Sequence, residues 1–313
     1  MAEKAGTLAK GAQGDGSGLS GIWKMGGNHG VKGDQFIGTT DLSNFEIRAN
    51  NLPAITIVPR SDTIARTSAP NMLANGGSNQ LIENHQTLKP ADLIGSTISG
   101  GAQNYLGNED MSVSYATIAG GRGNMALNSF ATVSGGEYHQ AGGQHATIGG
   151  GRSNGAFASK STISGGSLNF TYGQHASIGG GQGNTASGEH ATIGGGHVNE
   201  TKGEYATIAG GRGNRVLANH ATASGGEGNI LTGKYSSIGG GYSNRNLNRT
   251  QYSSISGGRE NEVGEHYAVV GGGRKNKSNG MYAFVGGGDG TILPRKPPPL
   301  GEESTTLPVA PVL

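Results

Sequence analysis

Between about residue 96 and residue 288, single apolar side chains recur at a fixed interval in a polar, glycine-rich background. The anchors are Ile98, Ile118, Val133, Ile148, Ile163, Ile178, Ile193, Ile208, Ala223, Ile238, Ile255, Val270 and Val285. Ten of the twelve intervals are 15 residues; the others, 20 after Ile98 and 17 after Ile238, read as small insertions at one turn. Each anchor closes a short run of the form (Tyr/His)-(Ala/Ser)-(Thr/Ser)-Ile. Alternation along a strand points positions −2 and 0 inward and positions −3 and −1 outward. Gly-Gly follows at +2 and +3 in every coil, and an Asn stands at +6 in eleven of the first twelve, including Asn154, Asn169, Asn184, Asn199 and Asn214. His139 is the exception. A period this strict predicts a β-solenoid whose coils stack in register. Stacked Asn side chains are expected to bond along the stack and cap the turn.

The flanks differ. Residues 1–35 are polar and Gly-rich, with the single Trp23, and read as a flexible or attachment arm. Residues 36–60 alternate in three segments, Phe36–Thr40, Phe45–Ala49 and Ala54–Val58, separated by turn residues, which predicts a small β-meander. Residues 61–95 read as a linker holding one degenerate coil, because Asn79 lies at +6 from Leu73. The repeat block, 96–288, contains none of the ten prolines, as expected where nearly every backbone N–H pairs with a neighbour. Six of them fall in residues 289–313, a Pro-rich tail expected to be extended.

One large inward side chain per coil contributes roughly 1.5–3 kcal/mol. Ordering each residue costs on the order of 1–2 kcal/mol in backbone entropy. With Ala and Ile as its whole core, a lone thin coil is marginal, and sharing inner faces among chains predicts an intertwined homotrimer. Thirteen coils at about 4.8 Å each make a rod on the order of 60 Å long.

The run beginning at Ala186, ASGEHATIGG, resembles the left-handed parallel β-roll repeat in the heads of trimeric autotransporter adhesins. Upstream, GTTDLSNFEIRANN (Gly38 to Asn51) followed by AITIVP resembles the short β-motif that precedes Gly-rich repeats in bacteriophage tail-fibre-like proteins. Together the two resemblances cover most of residues 36–288. The chain shows no signal peptide, heptad stalk or C-terminal membrane barrel, so the resemblance favours a phage tail or phage-derived injection-particle fibre. It implies an N-terminal attachment to a baseplate or larger fibre assembly and contact with a cell-surface glycan or protein receptor. The alternatives are a bacterial surface adhesin or a structural filament without a specific ligand. The expected location is the virion tail or an extracellular injection particle, with the cell surface as the alternative.

Composition narrows the chemistry further. There are 62 Gly and no Cys, so thiolate metal sites and disulfides are out. A net charge of +2 with scattered signs offers no footprint for nucleic acid. No run approaches the ~18 apolar residues of a membrane span. The Gly-x-Gly matches lack a following Gly-Lys-Ser/Thr, so no nucleotide cofactor is expected. Repeat-type calcium sites need an Asp in each turn, yet the block offers only Asp110. The few acids, Glu137, Glu189, Glu204 and Glu227, form no obvious carboxylate cluster of the kind a polysaccharide hydrolase needs, and no enzyme activity, cofactor or metal is expected.

The outward candidate is the −3 column: Tyr115, His145, His175, His190, Tyr205, His220, Tyr235, Tyr252, Tyr267 and Tyr282, with Phe130 and Lys160 completing it. Aromatic ranks of this kind suit a receptor surface, or they simply pair up the stack. The −1 Thr/Ser column, Thr97 to Ser254, is a minor ice-binding candidate, which the bulky −3 neighbours argue against.

Overall fold

The computed structural model describes residues 43–59, 70–74, 78–82, 93–247 and 250–295. Those residues are all-β, and their repeat block is a parallel β-solenoid. The predicted strand is present in every coil but is only two residues long, Thr147–Ile148 being typical. These strands pair in parallel, each anchor directly opposite the next, as in Thr147↔Thr162 and Ile148↔Ile163.

A second strand per coil was not visible in the repeat pattern. It lies at +7 and +8, for example Thr185–Ala186, and pairs with its own equivalents in register, Thr185↔Glu200 and Ala186↔Thr201. A third ladder of single bridges joins the +4 residues, as in Gln182↔His197 and His197↔Arg212. One sheet therefore contains 16 strands and the other 14 among the described residues.

The second strand changes the core. Position +8 turns inward, supplying Ala126, Ala141, Ala156, Val216, Leu231 and Val263, all fully buried. Together with the −2 Ala and the anchor, they close a hydrophobic interior inside one chain; Ile148, Ile163, Ile193 and Ile208 have 0% exposure and Ile178 1%. The premise for a shared-core trimer, an Ala-Ile pair as the whole core, is thus corrected. Among the described residues, the inner side chains are closed off within one chain.

The corners explain the glycines. At +3, Gly181 has φ +84°, and a Cβ there would run into the backbone O of Gly196 in the next coil. Only glycine lets successive coils approach this closely. The +6 Asn turns inward beside it and is buried. Asn184 Nδ2 donates to the carbonyls of Gly180 and Gly196, both at 3.0 Å, and Asn184 Oδ1 accepts the N–H of Asn199 at 3.0 Å. Each Asn thus bridges two coils and satisfies backbone groups that the interior hides from water.

The insertions fall at the corner between the second strand and the next anchor. In the longer coil after Ile98, this corner holds exposed Met111, with Val113 buried beyond it. In the 17-residue coil, Asn246 occupies the inward +8 site and accepts hydrogen bonds from Gly233 N–H and Thr250 Oγ1, both 2.7 Å, while donating to Ser253 Oγ. Ser236 and Ser253 replace Ala at −2 here and bond each other at 3.1 Å, so this stretch of core is polar but paired.

β3 (Asn71–Ala74) places Leu73 opposite Ile98, and Asn79 Oδ1 accepts Asn104 N–H at 3.0 Å, as Asn Oδ1 does along the rest of the Asn ladder. β4 (Gln80–Ile82) starts the second sheet. Ahead of them, β1 (Phe45–Ala49) and β2 (Leu52–Val58) form an antiparallel hairpin that continues onto β3. Its turn residues Asn50 and Asn51 have φ of 48° and 59°, the left-handed pair that two-residue hairpin turns require. The hairpin covers the N-terminal edge of the first sheet. The third predicted meander segment, Phe36–Thr40, and the attachment arm lie outside the described residues. At the other end, the second sheet continues to Ile292–Leu293, beyond the boundary at Gly288, because a coil's second strand follows its anchor by seven residues.

Candidate functional site

The −3 residues do not lie on the strand face. They occupy the corner just before it, in left-handed conformation: φ is 57° at His175, 55° at His190, 54° at Tyr205, 56° at Tyr235 and 59° at Tyr282. That backbone is uncommon for any residue with a Cβ and unfavourable for bulky ones. It is held by bonds running back to the preceding coil, such as His190 N–H to Gln174 O at 2.8 Å and Tyr205 N–H to Glu189 O at 2.9 Å.

The side chains form a continuous stack. From His175 through His190, Tyr205, His220, Tyr235, Tyr252 and Tyr267 to Tyr282, ring centroids are 4.7–5.3 Å apart and interplanar angles are 5–9°. A shorter stack joins Tyr115, Phe130 and His145, and Lys160 separates the two. The ten predicted residues are therefore brought together in two ranks. Tyr205 remains 52% exposed and Tyr282 55%. Because each ring covers its neighbour's face, the rank presents ring edges, with their phenolic hydroxyls and imidazole nitrogens, to solvent. Beside it, the −4 residues are polar except Met281, with Glu189 Oε1 3.6 Å from His190 Nε2 and Asn219 donating to Glu204 Oε2 at 3.2 Å.

A second surface feature was missed by sequence reasoning. Since +6 turns inward, the +5 corner and the +7 strand residue stand apart as walls of a groove running along the rod. Among the described residues, it includes two pockets. One, about 310 Å³, is lined by Gly183, Thr185, Val198, Glu200, Gly213 and Arg215. The other, about 480 Å³, is lined by Tyr242, Ser243, Arg245, Glu260, Glu262, Lys275 and Lys277, with Asn261 at its floor.

In the first stretch, two cations share one carboxylate. Burial opposes ionisation of Glu200, but hydrogen bonds from Lys202 and Arg215, both at 2.8 Å, outweigh it and hold the carboxyl below its ordinary range. In the second stretch, Arg259 bonds Glu260 at 2.8 Å and likewise keeps that carboxyl low, while Lys277 faces Glu262 at 3.4 Å. Arg245 has no ionic partner among the described residues. Among the described residues, no grouping of His, Asp or Glu is arranged to hold a metal ion, and no helix is long and apolar enough to cross a membrane.

Neither a protein-family model nor a curated protein sequence matches the chain.

His139 interrupts the Asn ladder without leaving it. Its Nδ1 accepts Asn154 N–H at 3.1 Å, as an Asn Oδ1 would, and its backbone N–H donates to Asn124 Oδ1 at 3.0 Å. Nε2 is buried with no partner, over Gly136. Burial pushes the imidazole below its ordinary value of 6.5, and protonating Nδ1 would also break the bond to Asn154. The folded value thus lies below the unfolded one. This contribution is constant above about pH 6.5 and falls as the unfolded chain takes up a proton, by at most ~1.4 kcal/mol per pH unit, until the folded value is reached. His139→Asn replaces the orphan nitrogen with an amide that can donate to two carbonyls. In thermal melts of both proteins from pH 8 to pH 5, the variant is expected to have the higher Tm throughout, with a margin that widens below pH 6.5. A constant margin would show that His139 does not titrate with folding.

Proposed function

We propose that this chain is a rigid β-solenoid fibre that contacts a cell surface, of the tail-fibre or injection-particle type, with the His175–Tyr282 rank as the contact. The observation that carries the reading is the occupancy of the −3 corner. Left-handed backbone favours Gly or Asn, yet this column holds large rings or Lys160. Stacking supplies roughly 0.5–1.5 kcal/mol per pair, which offsets the backbone cost and helps keep the column ordered. The outcome is a straight, pre-organised row of hydrogen-bonding edges, and such a row loses little entropy on meeting a partner.

The test exploits glycine. Replacing Tyr205 and Tyr235 together by Gly removes both rings while relieving the backbone strain, so the fold should survive. With full-length protein on a panel of intact bacterial cells, binding is expected to fall at least about tenfold, the equivalent of ~1.4 kcal/mol. Unchanged binding by a variant with a wild-type melt would remove the rank from the contact. A wild-type chain that binds no cell surface would favour the structural-filament alternative.

A further inference from the structure

The strongest unassigned feature is the wider stretch of groove, between Tyr242 and Lys277. It is about 480 Å³, inside the ~300–1,000 Å³ range of sites for small molecules. Its walls carry both signs of charge in a fixed order. Arg245, Lys275 and Lys277 supply cations. Glu260 and Glu262 supply acceptors, already engaged at 2.8 Å with Arg259 and at 3.4 Å with Lys277. Arg259 also lies 5.4 Å over the ring of Tyr242, which fixes that wall. Arg245 is the one lining cation without an ionic partner among the described residues, and its planar fork matches a carboxylate in two parallel bonds.

We propose that this groove binds an acidic saccharide, one bearing carboxylates as well as hydroxyls, lying along the rod axis. The lining chemistry decides between anions. Sulfate has acceptors only and inorganic phosphate keeps one or two hydroxyl donors on a compact anion, so neither spans the separated cations and carboxylates of the walls. A uronate-type sugar satisfies both sets: its carboxylate takes the free Arg245, and its hydroxyls donate to Glu260 and Glu262 and accept from Tyr242, Ser243 and the lysines. Planar polar side chains flanking a tyrosine suit the edges of sugar rings. The matching stretch at Thr185–Arg215 uses the same coil positions but lines one wall with Gly183, Val198 and Gly213, and its Glu200 is paired with both Lys202 and Arg215, so it has no free cation to offer. The saccharide class deepens the reading of the chain as a surface-binding fibre and rests on it only for where such a sugar would be met.

The experiment is calorimetric titration of the full-length chain with a galacturonate trisaccharide, a neutral galactose trisaccharide and inorganic phosphate. The uronate is expected to bind, the neutral sugar to bind at least about tenfold more weakly, and phosphate to compete poorly. Arg245→Gln and, separately, Lys277→Gln should each weaken uronate binding roughly tenfold. Arg212→Gln, at an exposed position paired with Glu227 at 3.7 Å, should leave it unchanged. No uronate binding in the millimolar range, equal binding of the neutral sugar, full competition by phosphate, or equal loss in Arg212→Gln would each overturn the proposal. Soluble sugar is used without cells, so the Tyr205/Tyr235 variant should bind it normally. Failure of the ring rank and failure of the groove are therefore separate results.

Discussion

Gly211→Ala is expected to disrupt the solenoid, whereas Gly210→Ala, one residue earlier, should be nearly silent. Gly211 has φ +87°, and a Cβ there would meet the backbone O of Gly226, with Asn214 Nδ2 at 2.7 Å and Gly226 N at 2.9 Å. Two of those three atoms are backbone of the adjoining coil and cannot rotate away. Relief would require the coils to separate, which breaks the bonds from Arg212 N–H (2.9 Å) and Asn214 Nδ2 (2.9 Å) to Gly226 O. Backbone strain and lost pairing together put the cost at about 4 kcal/mol or more, a large share of a typical domain's ~5–15 kcal/mol. At Gly210, a Cβ would have nothing within 4 Å, so the change should stay within about 1 kcal/mol. Urea denaturation of the two full-length variants measures both. Similar midpoints would mean that the coils slide apart more freely than their spacing implies.

That contrast was half legible in the sequence. The Gly-Gly pair marks a corner in every coil, but nothing in the letters says which glycine meets the neighbouring coil. The same limit recurs elsewhere. Anchors such as Ile148 and Ile193 and the Asn column announce themselves because one residue type does one job at one place. The second sheet is silent because its inward site accepts Ala186, Thr201, Val216, Leu231 or Asn246, so no consensus survives, and two-residue strands are too short to show alternation. Missing that sheet is what made the core look too thin for one chain. The rank of rings was placed on the strand because alternation was extended through Tyr205 and His190, whose left-handed backbone runs against their preference. The groove at Arg245 was out of reach altogether. It exists only because Asn244 and Asn261 turn inward between exposed neighbours.

The Asn ladder carries the second large effect: Asn184→Ala is expected to cost about 3–5 kcal/mol. The side chain is buried and makes four bonds: to Gly180 O and Gly196 O (3.0 Å each), to Asn169 Oδ1 (3.1 Å) and from Asn199 N–H (3.0 Å). Alanine leaves the buried Asn199 N–H without its acceptor, at ~1–3 kcal/mol, takes a donor from the part-buried Gly180 carbonyl, and adds a small cavity. Neighbouring rungs share groups, so Asn169→Ala and Asn184→Ala combined should cost clearly less than the sum of the two. Asn184→Ala combined with Asn276→Ala, six coils away, shares no partner and should add up. The location of the damage is as informative as its size. In a stack where each coil touches only its neighbours, a weakened rung lowers the cost of opening on both sides of it before the ends are affected. Hydrogen exchange on Asn184→Ala should therefore lose protection first around residues 169–199, with the coils beyond Asn244 still protected. Uniform loss along the rod would mean that the coils unfold as one cooperative block and that the ladder acts globally.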